Sequence, residues 1–296
     1  MPDPRQRRIA ELIEPFRVAP GRRVKLPRDF DPGFTGGMDK GRGQQLLAEG
    51  VEMLAELQAR LAAQDTYGVL VVLQALDAGG KDGTIKHVMS GVNPQGVSVH
   101  SFKQPSAEEL DHDFLWRYVR RLPTRGQIGI FNRSHYEEVL VVRVHQEVLD
   151  AEKLPRRSNR GDIWKHRYRA INEWERYLTD NGFRIAKLFL NMSKDEQCKR
   201  LVKRLDRPDK NWKFSMADIE ERERWDDYQV ALSEMLTHTS TEWAPWHVIP
   251  ADRKWFARMS AAAVIVDTLM EINPQFPTLD DQQREELAAA RKRLEC

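Results

Sequence analysis

Residues 74–86 read QALDAGGKDGTIK and follow directly on the apolar run Val69–Leu73. Gly79, Gly80 and Gly83 allow a tight turn whose backbone N–H groups point inward, and a helix opening there presents its positive end to the same place. Lys81 stands where the phosphate-loop pattern G-x-x-x-x-G-K-[ST] puts the lysine that reaches terminal phosphates. The chemistry implied is the cradling of phosphates by Ala78, Gly79, Gly80, Lys81, Asp82, Gly83, Thr84 and Lys86. Two letters depart from the pattern. Ala75 replaces the first glycine, and Asp82 replaces the metal-binding Ser or Thr. Asp77 is a third oddity, because a carboxylate in a phosphate cradle is repelled unless a cation intervenes. A Mg²⁺ ion (or Mn²⁺) bridging Asp77 and phosphate oxygens removes the conflict; the other role open to Asp77 is that of a base toward an acceptor oxygen. Asp82 contributes to the cradle or caps the following helix, and Thr84 supplies a hydroxyl to phosphate or sits in the first helical turn.

A second cluster ends another apolar stretch, in IGIFNRSHYEE, residues 128–138. Nucleoside triphosphate enzymes place a Mg²⁺-directing carboxylate at such a strand end. Here the position is Asn132, which carries no charge. Arg133 can clamp a phosphate bidentately, and Glu137 or Glu138, one turn on, can replace the missing carboxylate as a metal ligand. The alternative for the two glutamates is complementing a helix dipole. The third cluster is CKRLVKRLDRPDKNWKF, residues 198–214. Lys199, Lys203 and Arg207 are spaced i, i+4, i+8, and Arg200 and Arg204 form a neighbouring stripe. A basic segment of this kind suits a lid that closes over phosphates; Lys203, Arg204, Arg207 and Lys213 are its phosphate-binding candidates, with Arg204 ahead of Arg207 as the one that neutralises developing charge.

The elements that must position these residues follow from periodicity. A helix is predicted over 44–64, with Leu47, Val51, Leu54, Leu57 and Leu61 on one face. Strands are predicted at 67–73, 97–102, 128–131, 184–191 and 246–250, and helices at about 83–90, from a Ser106/Glu109 capping box to Arg121, at 165–181, from a Ser193/Glu196 cap toward Leu205, and in the charged tail from 281. Strands alternating with helices give an α/β fold: a parallel sheet of about five strands between helical layers. Ligands bind such sheets at the carboxyl ends of the strands, which gathers the three clusters at one edge. Residues 1–43 read as an arm packing over another surface, 44–275 as the catalytic domain with the lid at about 198–225 inside it, and 276–296 as a charged helix or tail.

The chain has 296 residues and a net charge of +2. Near-neutrality argues against a dedicated nucleic-acid binder. The basic residues are nevertheless clustered: Arg117, Arg120, Arg121, Arg125 and Arg133 within 17 residues, Arg156, Arg157, Arg160, Lys165, Arg167 and Arg169 within 14, and seven from Lys199 to Lys213 within 15. Beside a phosphate loop, such clusters suggest a polyanion larger than one nucleotide. Two cysteines, Cys198 and Cys296, in a chain of this length suit a reducing compartment. No apolar run approaches the roughly 18 residues that span a bilayer, and the expectation is a cytoplasmic protein with no membrane partner. The histidines have no zinc spacing.

The three clusters together resemble the polyphosphate kinase 2 family. Ala75-Leu76-Asp77-Ala78-Gly79-Gly80-Lys81-Asp82-Gly83-Thr84-Ile85 is similar to its loop G-x-D-A-x-G-K-x-G-x-I, and Phe131-Asn132-Arg133-Ser134-His135-Tyr136 to its F-[DN]-R-S-x-Y. The segment 194–218, with Trp212-Lys213-Phe214, resembles its lid, and the likeness extends over about 25–272. The resemblance implies a three-layer P-loop kinase fold with a helical lid and Mg²⁺-dependent, reversible phosphoryl transfer between inorganic polyphosphate and AMP, ADP or ATP. It also implies a homo-oligomer, dimer or tetramer. Asn132 followed by Tyr136-Glu137-Glu138 resembles class III, whose members are implied to phosphorylate both nucleoside mono- and diphosphates. Charge lost at Asn132 is then regained at Glu137, preferred here to Glu138. Asp77, Lys81, Arg133, Glu137 and Arg204 are the expected catalytic set. The rival readings are an ATP-dependent nucleoside monophosphate kinase and a non-catalytic polyphosphate-binding module.

Overall fold

Val69, Val71 and Leu73 point to one face of a strand and Leu70 and Val72 to the other, and all five are buried. A strand apolar on both faces needs cover on both, and the rest of the chain supplies it. In the computed structural model, which describes residues 4–154, 163–209 and 211–294, five strands form one parallel sheet in the order β2-β3-β1-β4-β5. They are β1 Gly68–Gln74, β2 Val97–Ser101, β3 Ile128–Asn132, β4 Phe183–Asn191 and β5 Trp246–Pro250. Arg156, Arg157, Arg160 and Lys210 of the basic clusters, the side chain of Lys213, and Cys296 lie outside the described part.

The helices are α1 Pro4–Ile13, α2 Lys40–Gln64, α3 Lys81–Val88, α4 Ala107–Leu110, α5 Trp116–Val119, α6 Val141–Val144, α7 Gln146–Ala151, α8 Ile163–Asp180, α9 Lys194–Leu205, α10 Ala217–Glu223, α11 Trp225–Thr239, α12 Lys254–Ile272 and α13 Asp281–Leu294. One face of the sheet packs on α2 and α12, the other on α8 and α11 and on the turn after β3. No helix among the described residues is long and apolar enough to cross a membrane.

Several elements differ from expectation. The helix from Ser106 does not run to Arg121. Its capping box forms in both directions, but the Asp113 side chain accepts a hydrogen bond from the Leu115 backbone at 3.0 Å and starts a second short helix, α5. A short polar side chain offering the backbone another partner is enough to break a helix. The long helix α2 begins at Lys40, capped by Asp39, rather than at 44. Helix α12 was not assigned from periodicity because it is apolar nearly all round: eleven of its residues are buried. It crosses α2 so closely that a Cβ on Gly43 would lie 2.3 Å from the Trp255 ring. The N-terminal arm contains α1 and then covers the exposed edge of β5, where Arg17 pairs antiparallel with His247 and Val18 N donates to Trp246 O at 2.8 Å.

The register aligns the carboxyl ends of the central strands. Leu73 of β1 lies opposite Asn132 of β3 and Leu188 of β4, so the segments after Gln74, Asn132 and Asn191 leave the sheet side by side.

Candidate active site

The loop after β1 folds back tightly. Gly79 N donates to Leu76 O at 3.0 Å, and a Cβ on Gly79 would lie 2.5 Å from the Ala75 Cβ and 2.8 Å from Leu76 O. The side chain at 75 therefore requires a glycine at 79. Gly80, at φ +100°, is the N-cap of α3; Ala78 holds φ +62° without being glycine. Lys81 curls over the loop and donates to Ala75 O at 2.7 Å. Burial, then Arg133, press its ammonium down to about 8, while Asp77, Glu137 and Asp82 pull the other way. Thr84 is buried in the first turn of α3 and borders the cleft above the loop. Lys86 is exposed, one turn on. Asp82, in the first turn of α3, accepts from Asn132 Nδ2 at 2.9 Å. The two letters that depart from the common phosphate-loop pattern and its partner strand thus face each other.

Arg133, also in the left-handed region at φ +62°, is the hub. Its Nη2 donates to Asp77 Oδ1 at 2.8 Å and its Nη1 to Glu137 Oε2 at 3.3 Å. Glu137 above all, and then Asp77 against the cost of burial, raise the guanidinium pKa further. Non-glycine residues held at positive φ cost energy and persist only where their surroundings over-determine them; of the four among the described residues, Asp65 and Asn273 end helices and Ala78 and Arg133 belong to the site. Glu137 also accepts from Gln74 Nε2 at 2.9 Å.

Glu138 has other partners, although it borders the same second cavity as Glu137. It accepts from Tyr118 Oη at 2.8 Å and lies 3.4 Å from Arg117 and 3.9 Å from Arg167. Burial raises its pKa, against the pull of both arginines. Its carboxylate is thus already engaged by Tyr118 and the two arginines, whereas Glu137 faces Arg133 and Gln74.

The basic stripe of α9 also divides. Arg200 is buried and structural: it donates to the carbonyls of Ala78 (3.2 Å), Gly79 (3.1 Å) and Asp252 (3.3 Å) and to that of Ala251, tying the loop to the end of β5. Lys203, Arg204 and Arg207 face the cleft above the loop, which measures about 440 Å³. Arg204 is paired with Asp218 of α10 at 3.1 Å and Arg207 with Asp209 at 2.7 Å. Burial and then Asp77 raise the Asp218 carboxyl. Two residues that sequence reading missed complete the cleft, Lys254 and Arg258 of α12. Burial and the charge of Arg200 lower the pKa of Arg258.

A second cavity, about 400 Å³, opens on the other side chains of the hub. Arg133 and Glu137 line it together with Lys103, Phe114, Arg117 and Val141. Among the described residues no group of three or more His, Cys, Asp or Glu could hold a metal. Asp77 and Glu137 nevertheless offer two carboxylates across Arg133, and the nearby Gln74 Oε1 is buried without a partner. This all-oxygen donor set fits Mg²⁺ or Mn²⁺, which keeps waters and takes its remaining ligands from phosphate.

Comparison with known proteins decides the family. The polyphosphate kinase 2 family model matches residues 37–277. The chain belongs to the polyphosphate kinase 2 family. It is 49% identical over 283 residues to an ADP-polyphosphate phosphotransferase of Rhodopseudomonas palustris, covering 94% of this chain and 97% of that one. It is 47% identical over 267 residues to an AMP/ADP-polyphosphate phosphotransferase of Meiothermus ruber, covering 90% and 96%. The crystal structure of polyphosphate kinase 2 from Arthrobacter aurescens TC1 superposes with a TM-score of 0.86 at 41% identity, covering 95% and 96%. The enzyme is therefore a phosphotransferase on the polyphosphate kinase 2 fold, and the expected family, α/β architecture and enzyme class stand.

Proposed function

We propose that this enzyme transfers the terminal phosphoryl group of inorganic polyphosphate to ADP and also to AMP, reversibly and with Mg²⁺ or Mn²⁺. The observation that carries the reading is the meeting of two clefts at the Asp77–Arg133–Glu137 contact. One is lined by the phosphate loop and by Lys203, Arg204, Arg207 and Arg258; it suits a polyanionic chain. The other, lined by Arg133, Glu137, Lys103 and Phe114, suits an acceptor nucleotide with its phosphate toward the hub. The relatives named above, one acting on ADP and one on AMP and ADP, support the same acceptors.

In transfer, a nucleotide phosphate oxygen forms a bond to the terminal phosphorus as the bridging P–O bond breaks, and the shortened chain leaves with the bonding electrons. The attacking oxygen is already anionic near neutral pH, since such phosphates titrate near pH 6, so no general base is required and Asp77 is read as a ligand rather than a base. Catalysis is positioning and charge neutralisation. Lys81 and the α3 N-terminus hold the end of the chain, Arg133 bridges donor and acceptor, and Arg204, freed from Asp218, neutralises charge on the leaving phosphate. A metal ion held by Asp77 and Glu137 would supply further charge stabilisation. A cytoplasmic homo-oligomer is part of the proposal.

The test is product formation from purified protein, Mg²⁺ and polyphosphate, with AMP and ADP in separate reactions and no ATP. ATP from ADP together with ADP from AMP is the expected result. ATP from ADP alone removes AMP from the acceptors. No product here, but transfer from ATP to a monophosphate, would replace the reading with an ordinary nucleotide kinase; polyphosphate binding without turnover would leave a binding module.

A further inference from the structure

Beneath the turn that carries Arg133 and Glu137 lies an ion pair sealed from solvent. Lys187 on β4 and Glu175 on α8 are both fully buried. Lys187 Nζ donates to Glu175 Oε2 at 2.7 Å, to Thr239 O at 2.6 Å and to Tyr136 Oη at 2.8 Å, which uses all three of its N–H bonds. Glu175 Oε1 accepts from Tyr136 Oη at 2.7 Å and from His135 Nε2 at 3.2 Å. Ser134, His135 and Tyr136 are the residues between Arg133 and Glu137, and all three are fully buried. The turn is closed locally by Ser134, whose Oγ accepts from Tyr136 N at 3.2 Å and whose carbonyl accepts from Glu137 N at 2.9 Å.

A buried Lys–Glu pair is a poor device for stability. Desolvating two charges consumes most of what their attraction supplies, and apolar residues of similar volume often serve as well or better. What this pair supplies is direction. Its bonds have one good geometry, and two successive turn residues are fastened to it, next to an arginine whose backbone sits at φ +62°. We propose that Lys187, Glu175 and Tyr136 are positioning residues for phosphoryl transfer: through one buried network they fix the turn so that Arg133 and Glu137 flank the phosphoryl group in flight. This rests on the reading of Arg133 and Glu137 given above.

Two variants separate positioning from support. Tyr136→Phe keeps the ion pair and the ring but removes the Tyr136 tie between turn and pair, leaving only the longer His135 contact to Glu175. The double variant Lys187→Met/Glu175→Leu removes both charges at similar volume. For each, Tm, kcat, and KM for ADP and for polyphosphate are measured beside Glu137→Gln. Both are expected to lower kcat about tenfold or more with KM little changed, because small displacements at a reacting centre cost rate rather than binding, and to lower Tm as far as the buried groups they leave without partners require. A wild-type kcat per folded molecule, with or without a lower Tm, would mean the network is structural only and would overturn the inference. If the double variant does not fold, Tyr136→Phe decides alone. A wild-type kcat in Glu137→Gln would instead sink the site reading itself, and the inference with it.

Discussion

Lys81 makes a prediction that depends on burial rather than on the presence of a lysine. Its ammonium is pressed to about 8 by burial and by Arg133. Polyphosphate is a dense anion, and once bound it returns Lys81 to the charged state throughout the working range. The free enzyme therefore binds the chain well only in the protonated fraction. That fraction is nearly complete at pH 6.5, about one half at pH 8 and about one tenth at pH 9. The direction follows from the sign: a lysine with a lowered pKa is charged below it and neutral above. kcat/KM for polyphosphate is expected to be level up to about pH 7.5 and to fall roughly tenfold per unit above pH 8. An exposed lysine would hold the profile level to about pH 10. Titration of the substrate is controlled with Lys81→Arg, since a guanidinium does not titrate in this range. That variant is expected to be less active at pH 7, because the compact point charge and its bond to Ala75 O are lost, yet to lose the alkaline decline. Initial rates at fixed ADP and Mg²⁺ over pH 6.5–9.5 measure both. A level wild-type profile to pH 9.5, or the same decline in Lys81→Arg, would refute the assignment of the decline to Lys81.

The neighbouring glutamates should separate by type of damage. Glu137→Gln is expected to lower kcat by about two orders of magnitude with little loss of stability, whereas Glu138→Ala, which strips Arg117 and Arg167 of a buried partner, should cost about 3–5 kcal/mol while kcat of the folded enzyme stays nearer the wild type; denaturation curves and steady-state rates together decide. Arg258→Ala should raise KM for polyphosphate about fivefold and flatten the dependence of binding on salt, without lowering Tm, because burial and Arg200 already disfavour that charge; a lower Tm with unchanged KM would place Arg258 among the structural residues instead.

The phosphate loop was legible because everything it needs is local. A strand apolar on both faces, three glycines and a lysine within one short segment dictate a strand, a tight turn and a helix whatever surrounds them. The five parallel strands were legible for the same reason, and they carried with them the edge at which ligands collect. Spacing along a helix names a face, but not what stands opposite it. In α9 the stripe Arg200, Arg204 reads as one functional surface, and both residues border the cleft, yet the Arg200 guanidinium is spent on four loop carbonyls. The choice between Glu137 and Glu138 lay in a turn that sends adjacent side chains to different partners. Asp82 and Asn132, 50 residues apart, became a hydrogen-bonded pair only through the register of β1 and β3. Arg258 arrived at the cleft on a helix too uniformly apolar to show a periodic face. What the sequence determined by itself is the chemistry available: phosphate-cradling backbone, cations for a polyanion, oxygen ligands for a hard metal. Which of those cations and carboxylates remain for the substrate was decided by tertiary structure, because a charge taken out of water must find a partner, and only packing shows which charges have already found one.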